Sequence, residues 1–242
     1  MLLRALRAEV MKCRRSPVWL AFLVLPLFPA VLGTLNYLGN LSVLQDAWYS
    51  LWSQHTIFSA YFFMPAQFGV FCAWQWRLEH TDHNWNSLMT APLPVGDLYL
   101  AKLILSIGTA VLAQLCIGLL FVLSGFFAGI QAPLPPEFFS WLFYGSVGGA
   151  AVCAVQLLLS LLIRSFAVPV ALGLLGGIAG LVLTSQGFGY YFPYSLLCIG
   201  MRANNPHMEL DILPFLLFCA LYVLLSAVLS VRLMTTRDVS TG

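Results

Sequence analysis

Charged side chains are scarce in this sequence, and their scarcity excludes a soluble globular domain. Only 8% of the 242 residues are charged, whereas 60% are hydrophobic. Soluble domains carry about 25% charged and about 45–50% apolar residues. The mean hydropathy of +0.89 and apolar blocks of about 20 residues, which can cross a hydrocarbon core of about 30 Å as helix, predict an all-α integral membrane protein.

Motifs of enzyme chemistry are also missing. The sequence has no G-x-x-x-x-G-K-[ST] loop to cradle nucleotide phosphates, no G-x-S-x-G serine motif and no H-E-x-x-H zinc motif. His80 and His83 lie three residues apart beside Glu79 and Asp82, but no third ligand stands at a fixed spacing. We therefore expect no catalytic residue, no metal site and no hydrolysis of ATP by this chain.

The hydrophobic blocks predict six membrane-spanning helices in one domain that covers residues 1–242. The predicted spans are 17–38, 52–76, 97 to about 130, 138–163, 167 to about 184, and 212–233. A five-span alternative makes the fifth block short and partly re-entrant. Prolines inside the spans are tolerated because neighbouring helices can satisfy the freed backbone groups.

Basic residues set the expected orientation, because Lys and Arg accumulate in cytoplasmic loops. Ten of them lie on one side of the predicted spans, and only Arg202 lies on the other. The ten are Arg4, Arg7, Lys12, Arg14, Arg15, Arg77, Lys102, Arg164, Arg232 and Arg237. This asymmetry predicts that both termini and a loop at 77–98 are cytoplasmic and that a loop at 185–211 lies outside.

The six cysteines form no close pair, and most of them fall in the spans or on the cytoplasmic side, where thiols stay reduced. We interpret them as small apolar residues. Glycines four apart, such as Gly145 and Gly149 or Gly173 and Gly177, predict close helix approach, as does the pair Gly125 and Gly129.

The N-terminus, at 1–16, has the pattern of an interfacial elbow helix. Its apolar residues fall within about 100° of one another on a helical wheel, and basic residues take the rest. The apolar set is Leu2, Leu3, Leu6, Val10 and Cys13. Such a helix serves as a topology anchor or also touches a cytoplasmic partner, and the sequence leaves both roles open.

A polar island, LEHTDHNWNSLMTAPLP at 78–94, interrupts the apolar sequence. Thr81 or Asp82 can cap a short helix, and Pro92 ends it because the residue before a proline avoids the helical region. Its apolar face would be formed by Trp85, Leu88 and Met89. That face either docks on a partner, since Trp is enriched at interface hot spots, or rests among lipid headgroups.

The loop at 185–211 is too apolar for a plain linker. Its stretch YYFPYSLLCIGM predicts a short interfacial or re-entrant segment. Tyr190, Tyr191 and Tyr194 are the candidate gate or substrate contacts, and the alternative is an aromatic belt at the membrane surface.

The segment EHTDHNWNSLMTAPLPVGDLYLAK, at 79–102, resembles the cytoplasmic loop of type-2 ABC exporter permeases. That loop has an acidic residue at the end of span two, a Trp-containing segment, a small residue before proline, and a Lys that enters span three. Within the superfamily it is most similar to lantibiotic-immunity permeases, the peptide antibiotic resistance subunits with an acidic loop rich in Asn and Trp. The resemblance extends from the elbow helix to the sixth span.

The resemblance implies a permease subunit of an ATP-driven ABC exporter in the bacterial cell membrane that expels lantibiotic-type peptides. In the family this loop is a coupling helix that docks on the ATP-binding subunit. The implied coupling residues are Glu79, Asp82, Asn84, Trp85, Leu88, Met89 and Pro92. The alternatives are a permease for another amphiphile, such as a drug or a lipid, or a membrane scaffold or sensor subunit without transport.

The expected partners follow from the same resemblance. They are an ABC ATP-binding subunit, a second permease subunit that is identical or related, membrane lipid and an amphiphilic peptide substrate. ATP and Mg²⁺ would bind in the partner ATPase, so this chain needs no cofactor of its own. No nucleic-acid partner is expected.

Overall fold

The computed structural model describes residues 1–14, 16–80 and 93–236, and these ranges are helical with no β-strand. Within them, ten α-helices follow one another along the chain. They are α1 (Leu2–Cys13), α2 (Val18–Val24), α3 (Leu27–Gly39), α4 (Ala47–Phe58), α5 (Met64–His80), α6 (Val95–Phe127), α7 (Phe138–Leu162), α8 (Ala167–Ser185), α9 (Pro193–Gly200) and α10 (Ile212–Thr236).

Six stretches of helix are long and apolar enough to cross a membrane, which confirms the predicted six-span, all-α fold. The first combines α2 with α3, and the second combines α4 with α5. The others are α6, α7, α8 and α10. The fifth, α8, is a continuous helix of 19 residues, so the five-span alternative is wrong.

The second span is longer at both ends than its apolar run predicts, since it covers Ala47–His80 and not 52–76. At its first end the polar side chains of Ser50, Ser53 and Gln54 are buried among neighbouring helices. At its other end Glu79 is helical and buried. Hydropathy missed these turns because their polar groups are satisfied inside the protein.

Prolines explain the two irregular points in the first two spans. Helix α2 ends at Val24 and α3 begins at Leu27, because Pro26 between them has no N–H to donate. A π-helical turn, Ser59–Phe63, joins α4 to α5 just before Pro65. The proline ring would collide with the carbonyl four residues earlier, on Tyr61, and the wider π turn relieves that collision.

Glycines let the helices approach to backbone contact. A Cβ on Gly148 of α7 would overlap the Leu196 carbonyl of α9, and one on Gly177 of α8 would overlap the Tyr61 carbonyl. The pair Gly125 and Gly129 does not form such a surface, so that prediction is wrong. Gly129 lies beyond α6 with a φ of +74°, which glycine adopts readily.

The short helix α9 is buried along its whole length, Pro193–Gly200, between α7 and α8. Two polar residues of α4 hold the turn that follows it. Trp52 Nε1 donates to the Met201 carbonyl at 2.9 Å, and the Asn204 N–H donates to Thr56 Oγ1 at 3.2 Å. Buried polar residues in the second span therefore anchor the connection between the fifth and sixth spans.

Glycine packing gives the first testable prediction. Gly148→Ala should lower the melting temperature of the purified protein, since forcing a methyl group onto the α9 backbone costs about 1–3 kcal/mol. Gly108→Ala is the matched control, because no atom beyond the adjoining backbone of its own helix lies within 4 Å of its added Cβ. Equal melting temperatures for the two variants would contradict the close approach of α7 and α9.

Candidate functional site

Helix α1 packs along the start of α6 and buries one face against the protein. Its buried residues are Ala5, Glu9 and Cys13. Leu3 and Val10, which were placed on the apolar face, are 73% and 47% exposed. This exposure is compatible with an apolar face that meets the membrane, and the interfacial helix stays a prediction. Glu9, one turn before Cys13, belongs to a separate buried face and has two lysines as partners.

Four charged side chains from three helices form an ion cluster at the α1 end of the bundle. Glu9 and Lys12 come from α1, Glu79 from the end of α5, and Lys102 from the second turn of α6. Lys12 Nζ lies 2.7 Å from Glu9 Oε1 and 2.5 Å from Glu79 Oε1. Lys102 Nζ lies 2.9 Å from both Glu9 Oε2 and Glu79 Oε1. The charges alternate around a closed path and sum to zero.

Most of this ion cluster is shielded from solvent. The side chains of Lys102, Glu9 and Glu79 are 0%, 2% and 5% exposed, and only Lys12 reaches solvent, at 32%. Burying an unpaired ion costs several kcal/mol. Each carboxylate therefore needs both of its ammonium partners in place.

Lys102 is saturated with partners. Its ammonium has three protons, and its acceptors are Glu9, Glu79 and the Gln75 carbonyl at 3.2 Å. The ammonium also lies 5.1 Å from the centroid of the Trp76 ring, where a cation–π attraction operates. Few other conformations of the Lys102 side chain would pair with both carboxylates and the Gln75 carbonyl at once.

The environment of α1 also sets the protonation of two of its side chains. Burial by itself would lower the pKa of Lys12, but Glu9 and Glu79 outweigh burial and raise the pKa above its ordinary 10.5. The stabilisation from Lys12 is therefore complete below pH 10.5 and is lost as pH rises through the folded-state pKa. Burial raises the pKa of the Cys13 thiol to about 11, which keeps it protonated and unreactive at neutral pH.

The ion cluster links three helices through its ion pairs. The segment 81–92 connects α5 to α6, and the ion cluster ties the α5 end, the α6 start and α1 to one another. The terminal amine of Met1 adds a contact to Asp97 in the first turn of α6, at 3.6 Å. No group of three or more metal-binding side chains occurs in the described parts of the chain.

Of the predicted coupling residues, only Glu79 falls in the described ranges, and its carboxylate is engaged within the chain. The others, which lie outside the described residues, are Asp82, Asn84, Trp85, Leu88, Met89 and Pro92.

The three candidate tyrosines differ in burial, although Tyr190 and Tyr191 both contact the ring of Phe218. Tyr190 is half-buried and stacks on Phe218, with 6.3 Å between ring centroids. Tyr191 is 67% exposed, whereas Tyr194 is 5% exposed and packs against Gly176. They do not form one continuous surface.

Glu9, Lys12 and Lys102 are functional candidates that the sequence analysis missed. Lys102 was matched to the family pattern but not paired with an acid. The amphipathic pattern of the N-terminal helix rests on its apolar and basic residues and gives no role to Glu9. A usable signal was present, because Glu9 is the one acidic residue in a segment of five basic ones.

The ion cluster predicts unequal effects of its two lysines. Lys102→Met should destabilise the protein by about 3–5 kcal/mol, because it leaves two buried carboxylates short of a cation. Lys12→Met should cost clearly less, since water can reach its position. The measurement is the thermal unfolding of both variants in the same detergent.

A double variant tests the pairing itself. Glu79→Gln combined with Lys102→Met should cost less than the sum of the two single changes, because contacting residues couple by about 0.5–3 kcal/mol. Strict additivity, or equal effects of the two lysine substitutions, would be inconsistent with the geometry described.

Comparison with known proteins agrees with this architecture. Residues 5–180 match the family model described as ABC-2 family transporter protein. The matched range includes all four residues of the ion cluster and extends into α8. No curated protein matches the chain in sequence. Because the family model covers well over half of its length, the chain belongs to the ABC-2 transporter family and is a membrane permease subunit.

Proposed function

We propose that this permease subunit works in an ATP-driven exporter that removes lantibiotic-type peptides from the bacterial cell membrane. The observation that carries the proposal is the ion cluster that locks together α1 and the two helices flanking segment 81–92. The ABC-2 family implies an ABC ATP-binding partner. A force applied between α5 and α6 by such a partner would act directly on this ion cluster.

In this proposal the 81–92 segment is the docking site of the ATPase. Trp85, Leu88 and Met89 supply its apolar anchor, and the ion cluster passes the movement into the second and third spans and into α1. The ten-to-one distribution of basic residues supports a cytoplasmic position for this end and for both termini. A second permease subunit completes the transport path.

The charge distribution supports an amphiphilic substrate. In the described spans, Lys, Arg, Asp and Glu occur only near the α1 end, at Arg77, Glu79, Asp97, Lys102 and Arg232. The middle of the bundle therefore offers no ionised path for a hydrophilic solute, which favours a substrate taken from the bilayer. The similarity of segment 79–102 to lantibiotic-immunity permeases supports a peptide as that substrate.

The docking proposal predicts that Trp85→Ala weakens the ATPase complex. Loss of a central aromatic anchor costs about 2–4 kcal/mol of binding, so co-purification of the ATPase should fall sharply, whereas Trp85→Phe should retain much of it. The melting temperature of the permease alone should not change, because the ion cluster stays intact. Unchanged co-purification and ATPase stimulation in Trp85→Ala would assign Trp85 to the headgroup region instead.

The substrate proposal predicts protection of a sensitive Gram-positive cell. Expression with the ATPase and any partner permease should raise the lethal concentration of a lantibiotic, with more peptide in the medium and less on the cells. Tyr191→Ala should lower protection without loss of stability, because its ring is exposed. Tyr194→Ala should lower both the protection of the cell and the stability of the permease, because it removes a buried ring.

A panel of lantibiotics and bacitracin-like peptides gives the opposing outcome. If the intact complex protects against none of them, a drug or lipid exporter becomes the better account. If the ATPase also fails to bind, neither kind of exporter is supported, and a scaffold or sensor subunit without transport becomes the better account.

A further inference from the structure

A cavity of about 430 Å³ opens at the end of the bundle opposite α1. Its walls are Trp48 at the start of α4, Val122 and Phe126 in the last turns of α6, and the loop 129–134. We call it the Trp48 cavity. Its volume lies in the range of ligand sites, about 300–1,000 Å³, and such sites combine apolar walls with a few polar groups.

The walls of the Trp48 cavity are fixed by specific contacts. Trp48 Nε1 donates to the Ala132 carbonyl at 2.7 Å, which holds the 129–134 loop over the indole. The indole packs closely on Gly125, where no side chain intervenes. It also meets Phe121 and Phe126 edge-on, with ring centroids 5.2 and 6.3 Å away. The cavity is therefore largely formed before any ligand arrives.

The protein around the Trp48 cavity is acidic. The segments at this end, 40–46, 128–137 and 186–211, hold four carboxylates and one arginine, which gives a net charge of −3 with His207 neutral. The carboxylates are Asp46, Glu137, Glu209 and Asp211, and the arginine is Arg202. Asp46 comes two residues before Trp48, and Glu137 follows the lining loop by three residues.

Asp46 and Glu137, the carboxylates closest in sequence to the lining residues, are held in place and reach solvent. Asp46 Oδ2 lies 2.6 Å from His207 Nε2. The His207 ring stacks on the Tyr49 ring, with 4.4 Å between the ring centroids. Glu137 accepts a 2.8 Å hydrogen bond from the Tyr49 hydroxyl. Its own backbone N–H and Tyr49 lower the pKa of Glu137, so it is ionised at neutral pH. An aromatic cavity with ionised acids in the adjoining segments of the chain suits a ligand with an apolar part and a cationic group.

We propose that the Trp48 cavity binds the apolar part of cationic amphiphiles and that Asp46 and Glu137 attract their positive group. The role of this binding in export rests on the proposed function, but the binding itself needs neither ATP nor the ATPase. A second groove, of about 340 Å³ between α3 and α6, is the contrasting case. Its walls are apolar apart from two hydroxyls, and neither α3 nor residues 104–127 of α6 contain an acidic residue. This surface suits the uncharged hydrocarbon chain of any lipid.

Neighbouring phenylalanines provide a matched pair of variants. Phe126 lines the Trp48 cavity and Phe127 lines the α3–α6 groove, and they are 69% and 87% exposed. Neither belongs to the buried core, so both alanine variants should fold with the melting temperature of the unmodified protein.

The experiment uses the purified permease in phosphatidylcholine nanodiscs. The probe is a dodecyl-trimethylammonium with a photoreactive diazirine in its chain, and the comparison probes are its dodecylphosphocholine and dodecyl sulfate counterparts. The cationic probe should label Trp48 and residues 122–134. Phe126→Ala should weaken its binding about tenfold, the equivalent of about 1.4 kcal/mol of lost apolar contact, and Phe127→Ala should leave it unchanged.

Charge is tested by the same labelling. Asp46→Asn and Glu137→Gln should reduce labelling by the cationic probe and not by the zwitterionic one, and added salt should do the same because these carboxylates are exposed. Equal labelling by all three probes, or an effect of Phe127→Ala in place of Phe126→Ala, would overturn the proposal in favour of lipid in the α3–α6 groove. Export assays with the ATPase are scored separately, so loss of transport and loss of binding remain distinguishable.

Discussion

A closed path of opposite charges inside a low-dielectric bundle constrains the whole α1 end of this protein. The buried ions Glu9, Glu79 and Lys102 are each tolerated in place only because partners of opposite charge are present, and Lys12, which reaches solvent, completes the pairing of the two carboxylates. If one helix withdraws, at least one buried ion loses a partner and the penalty is several kcal/mol. The terminal helix α1 is therefore part of the packed structure, and α1, α5 and α6 meet in one joint.

The opposite end is held together in another way. There, glycines allow α7, α8 and α9 to touch through their backbones, and aromatic rings fill the space around Trp52. The second span holds the following turn through the Trp52 indole, which donates to the Met201 carbonyl, and the Thr56 hydroxyl, which accepts from the Asn204 N–H. These contacts depend on close fit and on hydrogen bonds between uncharged groups. A larger side chain at the glycines would therefore disrupt the packing, and no ionised group takes part in it.

The two ends suit different tasks in the proposed exporter. In that proposal the ion cluster passes the movement of the ATPase to the helices, which its short pairs and few alternative arrangements favour. An aromatic cavity with exposed acids binds weakly and reversibly, since its charges remain in contact with water. Between them, the described spans contain helix interruptions at Pro26 and before Pro65, which are the places where the first two spans depart from regular hydrogen bonding.

The sequence by itself determined the number, type and approximate limits of the spans, because a run of apolar residues long enough to cross a bilayer has few alternatives to helix. It also determined the family pattern around Glu79 and Lys102. Tertiary structure alone decided that Glu9 faces inward, since its partner Lys102 lies 93 residues away along the chain. It likewise placed Tyr194 in the core and Tyr191 at the surface, because burial depends on which neighbouring helix covers each face and not on the identity of the side chain.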